Sequence, residues 1–478
     1  MLHLSSTHVV WRDAYISDVL SLGLPFPHNQ LADMKSAELE RSVKRALRIG
    51  SFWQSGRTQP TTAVDFAASS GTGVSDVRFL PGYDGRRIAT LSKGIWSVIS
   101  CWEIPSHKTG EASGSGVRKV AEWCPKGTII TGLVVNSDVH SEAIIATSVN
   151  GRRQCIQVLS LDDAEDGSSD LRSLGAIDTS MRPITLQGDR LAYSDDSSRT
   201  IITSWRTGAL ALLQGADEPV DQHFQYNRCL QVVFAHKSVL VVRARSIELF
   251  PEPSLKPASE CLTYRPLAFH SFGWIDGVSV NAQTHGGDPN DALEPLSILL
   301  RAESDDPWMS DMHTLDLYVL EPNSAYVRTE ADEDLPGAPS HRLPSPYLFP
   351  PKHSTLSSPS VRGFLRCTDV VLGPCGTAIW IQPRPARSAD LTTLDVHSSD
   401  TQGPRPNAET EVLAGAVFAG SLREESDHGG GEKSVGARTV YVRDSAGSGN
   451  WTAMDYVEEL GVVALASTQG VVTVLEFG

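Results

Sequence analysis

Long hydrophobic runs are absent from this sequence of 478 residues. The most apolar stretch, Val412–Gly420, is far shorter than the roughly 20 residues that a membrane-spanning helix needs. Near the start, Trp11, Arg12 and Asp13 interrupt any apolar segment of the kind found in a secretory signal. We therefore expect neither a membrane span nor a secretory signal.

Positive charge is also scarce. The chain has 41 Lys and Arg against 57 Asp and Glu, which gives a formal net charge of −16. No basic run is longer than two residues, whereas binding to phosphates of nucleic acid or to anionic lipid needs clustered Lys and Arg. The composition argues against nucleic acid and membrane surfaces as partners.

Cysteine is sparse, and its spacing does not match a metal site. The seven cysteines include no Cys-x-x-Cys, and the closest pair, Cys367 and Cys375, has no His nearby. An odd number without paired short spacings is typical of thiols in a reducing compartment. We expect a cytoplasmic or nuclear protein without a bound metal.

Motifs of catalysis are absent as well. The sequence has no His-Glu-x-x-His, no Gly-x-Ser-x-Gly and no phosphate-binding glycine loop. The acidic turn Asp162–Gly167 lacks the oxygen ligand that a calcium loop would place at Ala164. Five scattered histidines could meet at one mouth of the fold: His140, His223, His236, His270 and His285. We nominate no catalytic residue, metal ligand or cofactor, and we interpret the chain as a non-enzymatic protein.

A helical segment, Val10–Gln54, opens the chain. In its first half, apolar residues recur at the helical period, namely Trp11, Tyr15, Val19 and Leu22. Ser5 or Ser6 can cap the start of this helix. Proline lacks an N–H and has a fixed φ, so the helix is predicted to end within Gly23, Pro25 and Pro27.

A second helix is predicted to begin near Asp33 or Ser36 as N-cap. Gly50 stands where this helix would stop, and Trp53 closes the segment. Its apolar stripe contains Leu39, Val43 and Ala46 or Leu47. The two stripes either pack against the rest of the chain or present a face to a partner, and the residues concerned are Trp11, Tyr15, Leu39, Val43 and Trp53.

From about Thr61 the hydrophobic period changes from 3.6 to 2, which is typical of strands. The clearest unit, Val77–Ile104, contains strands separated by turns rich in glycine. Similar units follow at 128–161, 184–206, 230–250, 267–320, 363–382 and 451–477, with a doubtful one formed by 412–419 and 439–443. Five tryptophans fall inside these strand patterns and are predicted to lie in the core: Trp96, Trp102, Trp123, Trp205 and Trp380.

Recurring units of three or four antiparallel strands are the signature of a β-propeller. We predict a mainly β fold, a WD40-like β-propeller of six or seven blades with a short N-terminal helical segment. The sequence has no Trp-Asp and no Gly-His dipeptide, so the usual marks of WD repeats are missing. A β-sandwich or two smaller β domains is the alternative.

A propeller ring must close, and the segment Ala63–Ala67 stands just before the first full unit. We predict that it pairs within the last unit, beside Trp451–Phe477. Closure of this kind removes the exposed sheet edges that promote aggregation.

The predicted domains are a helical segment, 1–60, and the propeller, 61–478. Polar, acidic or Gly/Ser-rich insertions interrupt the propeller and are predicted to be loops, at 107–116, 162–170, 283–295, 303–311, 329–360, 383–411 and 421–438. In the fifth region, 329–360, ordering is expected only around Tyr347, Leu348 and Phe349. Trp308 and Met309 lie in an acidic insertion, where they either fold onto a blade or contact a partner.

The order of residues in the helical segment resembles the region just after the F-box in fungal F-box proteins. The matching residues are Leu4, Ser5, Ser6, Thr7, Trp11, Asp13, Ala14, Leu24, Pro25, Pro27, Ser36, Leu39, Glu40, Arg41 and Trp53. They cover about an eighth of the chain. In that family the F-box helices, which bind a Skp-type adaptor, precede this segment, so the chain is expected to begin at the tail of the F-box.

The resemblance implies a protein-interaction module like the substrate-recognition subunit of an SCF-type ubiquitin ligase. Its propeller would bind a protein target, and a Skp-type adaptor would be a partner where an upstream F-box exists. We expect a monomer. The alternatives are a propeller scaffold without a ligase link and a propeller hydrolase or oxidoreductase whose residues converge at the mouth.

Overall fold

The computed structural model describes residues 7–27, 34–55, 59–105, 116–163, 169–196, 198–216, 227–282, 293–303, 312–326, 345–359, 367–383, 411–418, 437–442 and 450–478. The helical head contains α1 (His8–Ala14), which continues into a π-helix (Tyr15–Leu20), and α2 (Ser36–Ser55). Two short 3₁₀ helices, Ala258–Glu260 and Glu458–Leu460, lie in the β-rich part. No helix of the described residues is both long enough and apolar enough to cross a membrane.

The β-rich part forms seven sheets, which are the blades of a β-propeller. Blade 1 contains β2 (Val74–Phe79), β3 (Arg87–Lys93), β4 (Ser97–Glu103) and β5 (Arg118–Trp123). Blade 2 contains β6 (Ile129–Val135), β7 (Ile145–Asn150), β8 (Gln154–Asp163) and β9 (Ser169–Asp178). Blade 3 contains β10 (Arg182–Gln187), β11 (Arg190–Ser194), β12 (Arg199–Ser204), β13 (Leu210–Gln214) and, parallel to β13, β17 (Leu262–Tyr264).

The remaining blades follow the same plan of antiparallel strands. Blade 4 contains β14 (Cys229–Ala235), β15 (Ser238–Arg243), β16 (Ser246–Pro251) and β18 (Ala268–Ser271). Blade 5 contains β19 (Ile275–Ala282), β20 (Leu296–Glu303), β21 (Met312–Leu320) and β22 (Lys352–Pro359). Blade 6 contains β23 (Val370–Leu372), β24 (Thr377–Pro383), β25 (Glu411–Val417) and β26 (Arg438–Val442). Blade 7 contains β27 (Trp451–Val457), β28 (Val462–Ser467), β29 (Val471–Glu476) and β1 (Thr62–Ala67).

Blade 7 closes the ring, as the sequence predicted. Strand β1 pairs antiparallel with β29, and the register places Ala63 opposite Leu475 and Phe66 opposite Val472. The innermost strands of the first and last blades, β2 and β27, contact each other. Both ends of the propeller therefore lie in one sheet, and the prediction of a mainly β propeller is confirmed with seven blades.

Each innermost strand begins on one face of the ring and ends on the other. We call these the front face and the rear face, respectively. Six innermost strands carry a register shift near the front face, for example between Val74 and Asp76 in β2 and between Ile275 and Gly277 in β19. Such bulges increase the local twist of a strand, and here they recur from blade to blade without a shared sequence motif.

Some of the predicted boundaries were wrong because adjacent blades were divided at the wrong strand. The segment 267–273, assigned to the fifth unit, contains β18, which pairs with β16 in blade 4. The doubtful unit at 412–443 is no separate blade, since β25 pairs with β24. Hydrophobic alternation marks a strand but does not specify the strand with which it pairs.

Two predicted loops contain strands. Lys352–Pro359, within the predicted loop 329–360, is the outer strand of blade 5. The ends of the predicted loop 162–170 extend the β8–β9 hairpin, where Asp162 pairs with Asp170. Outer strands need only backbone hydrogen bonds on one side, so they can be polar and escape a hydrophobic pattern. Within 329–360, Tyr347 is buried, as expected, whereas Leu348 is exposed.

The helix boundaries in the head also differ from the prediction. Helix α2 continues through Gly50 to Ser55. A side chain at Gly50 would meet Leu24, whose Cδ2 lies 2.8 Å from an ideal Cβ. Glycine here permits close packing and does not end the helix. Ser36 is the first helical residue of α2, and Thr7 is the N-cap of α1. The π-helix ends at Leu20, so Leu22 lies in a turn and is exposed.

Candidate partner-binding surfaces

The head packs into the propeller through the side chains that the sequence singled out. Tyr15, Leu39, Val43 and Trp53 are buried in one hydrophobic cluster with residues of blades 6 and 7. Trp11 is half-buried, with the Lys44 ammonium 5.1 Å from the centre of its ring. Of the predicted stripe of α2, Ala46 is buried and Leu47 is exposed. The two apolar stripes thus pack mainly within the chain.

Trp53 packs the end of α2 against blade 6. Its exposed fraction is 5%, and its Cη2 atom lies 2.8 Å from an ideal Cβ at Gly415 in blade 6. Arg438 stacks on the Trp53 ring at 4.6 Å and donates hydrogen bonds to the carbonyl oxygens of Phe52 and Trp53, both at 3.0 Å. These carbonyls belong to the last turn of α2, where no helical donor follows. Arg438 therefore caps the helix and fixes the head on blade 6.

A buried carboxylate joins blades 6 and 7 beneath the head. Glu458 accepts hydrogen bonds from the backbone N–H groups of Cys375 (2.6 Å) and Thr377 (3.0 Å) and from the Thr377 hydroxyl. That hydroxyl also contacts the Tyr456 hydroxyl at 3.0 Å. Burial raises the pKa of Glu458 to about 7. An ideal Cβ at Gly373 would lie 2.3 Å from the Glu458 carboxyl group, so only glycine fits at this position of the turn.

Polar side chains link the innermost strands around the central channel. Each of four side chains accepts a backbone N–H from the next blade: Gln231 from Val280 (3.1 Å), Ser279 from Leu372 (2.9 Å), Asp369 from Met454 (2.8 Å) and Asp455 from Phe79 (2.7 Å). Thr185 donates to the carbonyl of Val232 at 2.7 Å. The last acceptor, Asp455, joins blade 7 to blade 1. These bonds hold neighbouring blades in register.

The channel carboxylates could have suggested catalysis, but their partners are structural. Asp369 and Asp455 bind backbone N–H groups, and Asp76 lies 3.2 Å from Arg78 Nε. Burial raises the pKa of Asp76 to about 6 and also raises the pKa of Asp455. No described innermost strand carries a histidine. Asp369 and Asp455 therefore join neighbouring blades, whereas Asp76 pairs within its own strand.

The histidines that could have met at the mouth lie on separate elements where the structure describes them. His140 lies in a turn after β6, His236 in the β14–β15 turn and His270 in the outer strand of blade 4. His223 and His285 lie outside the described residues, as do Trp308 and Met309. His270 instead approaches Tyr318, whose ring stacks on His353 at 4.5 Å.

An exposed apolar surface lies on the front face between blades 1 and 2. It contains Ile95, Trp96 and Ile129, whose exposed fractions are 89%, 48% and 56%. The Trp96 ring lies 3.6 Å from an ideal Cβ at Gly127, and Ser97 Oγ accepts the N–H of Ile130 at 3.0 Å, so the two blades meet here. We call these three residues the front patch. Clustered exposed apolar side chains are typical of protein-interaction sites.

The prediction that Trp96 lies in the blade core was wrong. Strand β4 begins at Ser97, so Trp96 belongs to the β3–β4 turn and projects from the sheet. Trp380 is buried, as predicted, whereas Trp102, Trp123 and Trp205 are half-buried. The turn Ser92–Gly94 before Ile95 was the one sequence signal that could have indicated an exposed position.

The head has an exposed apolar face of its own. Its members are Val9, Val10, Ile16, Leu22 and Leu47. They lie outside the buried cluster that contains Tyr15 and Leu39, so they remain at the surface when the head packs on the blades. The head could therefore contact a partner while it stays fixed to blades 6 and 7.

Comparisons with known proteins give a match in structure but none in sequence. No protein-family model and no curated protein matches the sequence. A chain in the crystal structure of a mitotic checkpoint complex aligns with a TM-score of 0.42 and 9% sequence identity, over 88% of this chain and 96% of that chain.

Proposed function

We propose that this chain is a protein-interaction module whose front patch binds a protein partner. The observation that carries the proposal is the exposure of Ile95, Trp96 and Ile129 side by side on one face of a closed propeller. An aromatic ring flanked by aliphatic side chains matches the anchors that dominate many protein interfaces. Binding, and not bond chemistry, is the proposed mechanism.

Replacing the front patch should remove partners while the fold is preserved. The double variant Ile95→Ser/Trp96→Ala truncates exposed side chains, so its melting temperature should stay near that of the wild type. Proteins that co-purify with the wild-type chain should fall at least about tenfold, because the loss of one aromatic anchor costs on the order of 2 kcal/mol of binding. Quantitative mass spectrometry of the affinity-purified chain measures the co-purified proteins for the wild type and for the double variant.

The matched control is Val139→Ser, which truncates an aliphatic side chain of 51% exposure in a turn that follows β6, on the rear face. This variant should recover the same partners as the wild type. Equal recovery by the double variant would show that the front patch is not the binding surface.

We further propose that the module is a substrate-recognition subunit of an SCF-type ubiquitin ligase. Two features support it: the residues that resemble a post-F-box segment, and a head fixed on the propeller by Trp53 and Arg438. A fixed head would set the orientation of a bound target relative to a ligase scaffold. The exposed head residues, among them Val9 and Ile16, offer a surface for neighbouring helices.

Co-purification with a Skp-type adaptor tests the ligase proposal. The present chain and a version extended upstream with genomic sequence should be expressed in parallel with the adaptor. We expect the extended version to retain the adaptor. If neither version retains it, the ligase proposal is wrong, and the chain is a propeller scaffold without a ligase link.

A further inference from the structure

A cleft of about 140 Å³ separates α2 from the rear face of blades 7 and 1. Its wall includes apolar side chains, among them Met34, Ile104 and Val474. Three arginines also line it: Arg41 and Arg45, one turn apart on α2, and Arg86 from the β2–β3 turn. An apolar wall with a few charged groups is the usual composition of a small-ligand site.

The guanidinium of Arg45 is poorly compensated. It is half-buried, and within the described part of the chain it forms no hydrogen bond and no ion pair within 4.0 Å. Burial lowers the pKa of Arg45, although Glu476 and Asp84 lie near enough to oppose the effect. Burial also lowers the pKa of Arg438. The guanidinium of Arg438, however, donates hydrogen bonds to two helix carbonyls. Arg45 has no comparable partner among the described residues.

The carboxylates of the cleft limit which anions can bind. Glu38, Asp84 and Glu476 line the same space as the three arginines, so the formal charge of the lining is zero. An anion without an apolar group gains little binding free energy from a site whose formal charge is zero. A ligand that also covers the apolar wall gains hydrophobic free energy in addition, and its oxyanion can form paired hydrogen bonds with a guanidinium fork.

We propose that this cleft binds a small amphiphilic anion, an apolar group that carries one carboxylate or phosphate. The oxyanion lies at Arg45 and Arg86, and the apolar group lies against Ile104 and Val474. Such a ligand contacts the head and the propeller at once. The site is on the rear face, so the inference does not depend on the front patch or on the ligase proposal.

Calorimetric titration of the full chain with small probes tests the chemistry. N-acetylleucine carries a carboxylate on an apolar group, phenyl phosphate carries a phosphate on one, N-acetylleucinamide lacks the charge and inorganic phosphate lacks the apolar group. We expect saturable binding of N-acetylleucine or phenyl phosphate, and the tighter of the two identifies the oxyanion. Equal binding of the uncharged amide, equal binding of inorganic phosphate, or no binding of any probe overturns the proposal.

Variants locate the site. Arg45→Gln should weaken binding of the better probe by about ten- to a hundredfold, since a hydrogen bond to a charged group is lost. The control is Arg48→Gln on the same helix, because Arg48 is exposed and does not line the cleft. Arg86→Gln, which changes an exposed residue of the propeller, provides a second test if Arg45→Gln fails to fold. Unchanged affinity in both Arg45→Gln and Arg86→Gln would refute the assignment.

Discussion

Trp53→Ala is expected to lower the free energy of unfolding by about 3–5 kcal/mol, the usual cost of truncating a buried tryptophan. Trp53 of α2 packs against Gly415 of blade 6, within the hydrophobic cluster that joins the head to blades 6 and 7. The substitution also removes the ring on which Arg438 stacks. Urea denaturation followed by circular dichroism measures the change.

The matched control is Trp96→Ala, which removes the same side chain from a position that is 48% exposed. Its free energy of unfolding should change by less than about 0.5 kcal/mol. A comparable loss of unfolding free energy in both variants, or no loss in Trp53→Ala, would contradict the burial of Trp53 between the head and the propeller.

Glu458→Ala is expected to cost about 3–5 kcal/mol, because it leaves buried donors without an acceptor. The N–H groups of Cys375 and Thr377 both bind this carboxylate, and Glu458 is buried. The neighbouring variant Glu459→Ala is the control. Glu459 is only half-buried, so its substitution should cost less than about 1 kcal/mol. Thermal and urea unfolding of the two variants near pH 6 decide between these outcomes.

The pH dependence of stability gives a second readout of Glu458. Burial raises its folded-state pKa to about 7 from an ordinary value of 4.5, so the folded chain holds this proton more tightly than the unfolded chain. The contribution of Glu458 to the free energy of unfolding is therefore greatest below about pH 4.5 and falls as the pH rises to about 7, by roughly 3 kcal/mol.

Glu458→Gln removes this titration, so the fall in stability between about pH 4.5 and 7 should become shallower than in the wild type. It should not vanish, because the pKa of Asp76 and of Asp455 is raised by burial as well. Melting temperatures in a series of buffers across this range measure the slope. An identical slope in the wild type and in Glu458→Gln would mean that Glu458 keeps an ordinary pKa in the folded protein.

Local patterns predicted the elements of this fold well. A period of two marks strands such as Thr62–Ala67, in which every second side chain is more deeply buried. Strands buried on both faces, such as Val471–Glu476, are marked by short runs rich in Val, Leu and Thr. The helices of the head were predicted equally well. Tyr15 in the first helix and Leu39 and Val43 in the second follow the helical period and are buried. The pairing of Ala63–Ala67 within the last blade could be predicted because a propeller ring must close.

Elements whose role depends on distant residues were misread. Gly50 resembles a helix terminator, but Leu24 occupies the space above it. Lys352–Pro359 lacks an apolar pattern and becomes a strand through pairing with β21. Trp96 follows a strand-like pattern, yet one turn places it at the surface. For Gly50 and Lys352–Pro359 the local residues allow two outcomes, and a contact farther along the chain selects one, whereas for Trp96 the adjacent turn decides.

The sequence by itself determined the strand-rich class, the helical head, the closing strand and the acidic charge, because these follow from composition and from periods of a few residues. Only the tertiary structure decided the division into seven blades, the bonds of Asp369 and Asp455 between blades, the front patch and the cleft at Arg45. These features join residues from different blades or from the head and the propeller. Their geometry arises from packing of the whole chain, which no short sequence pattern encodes.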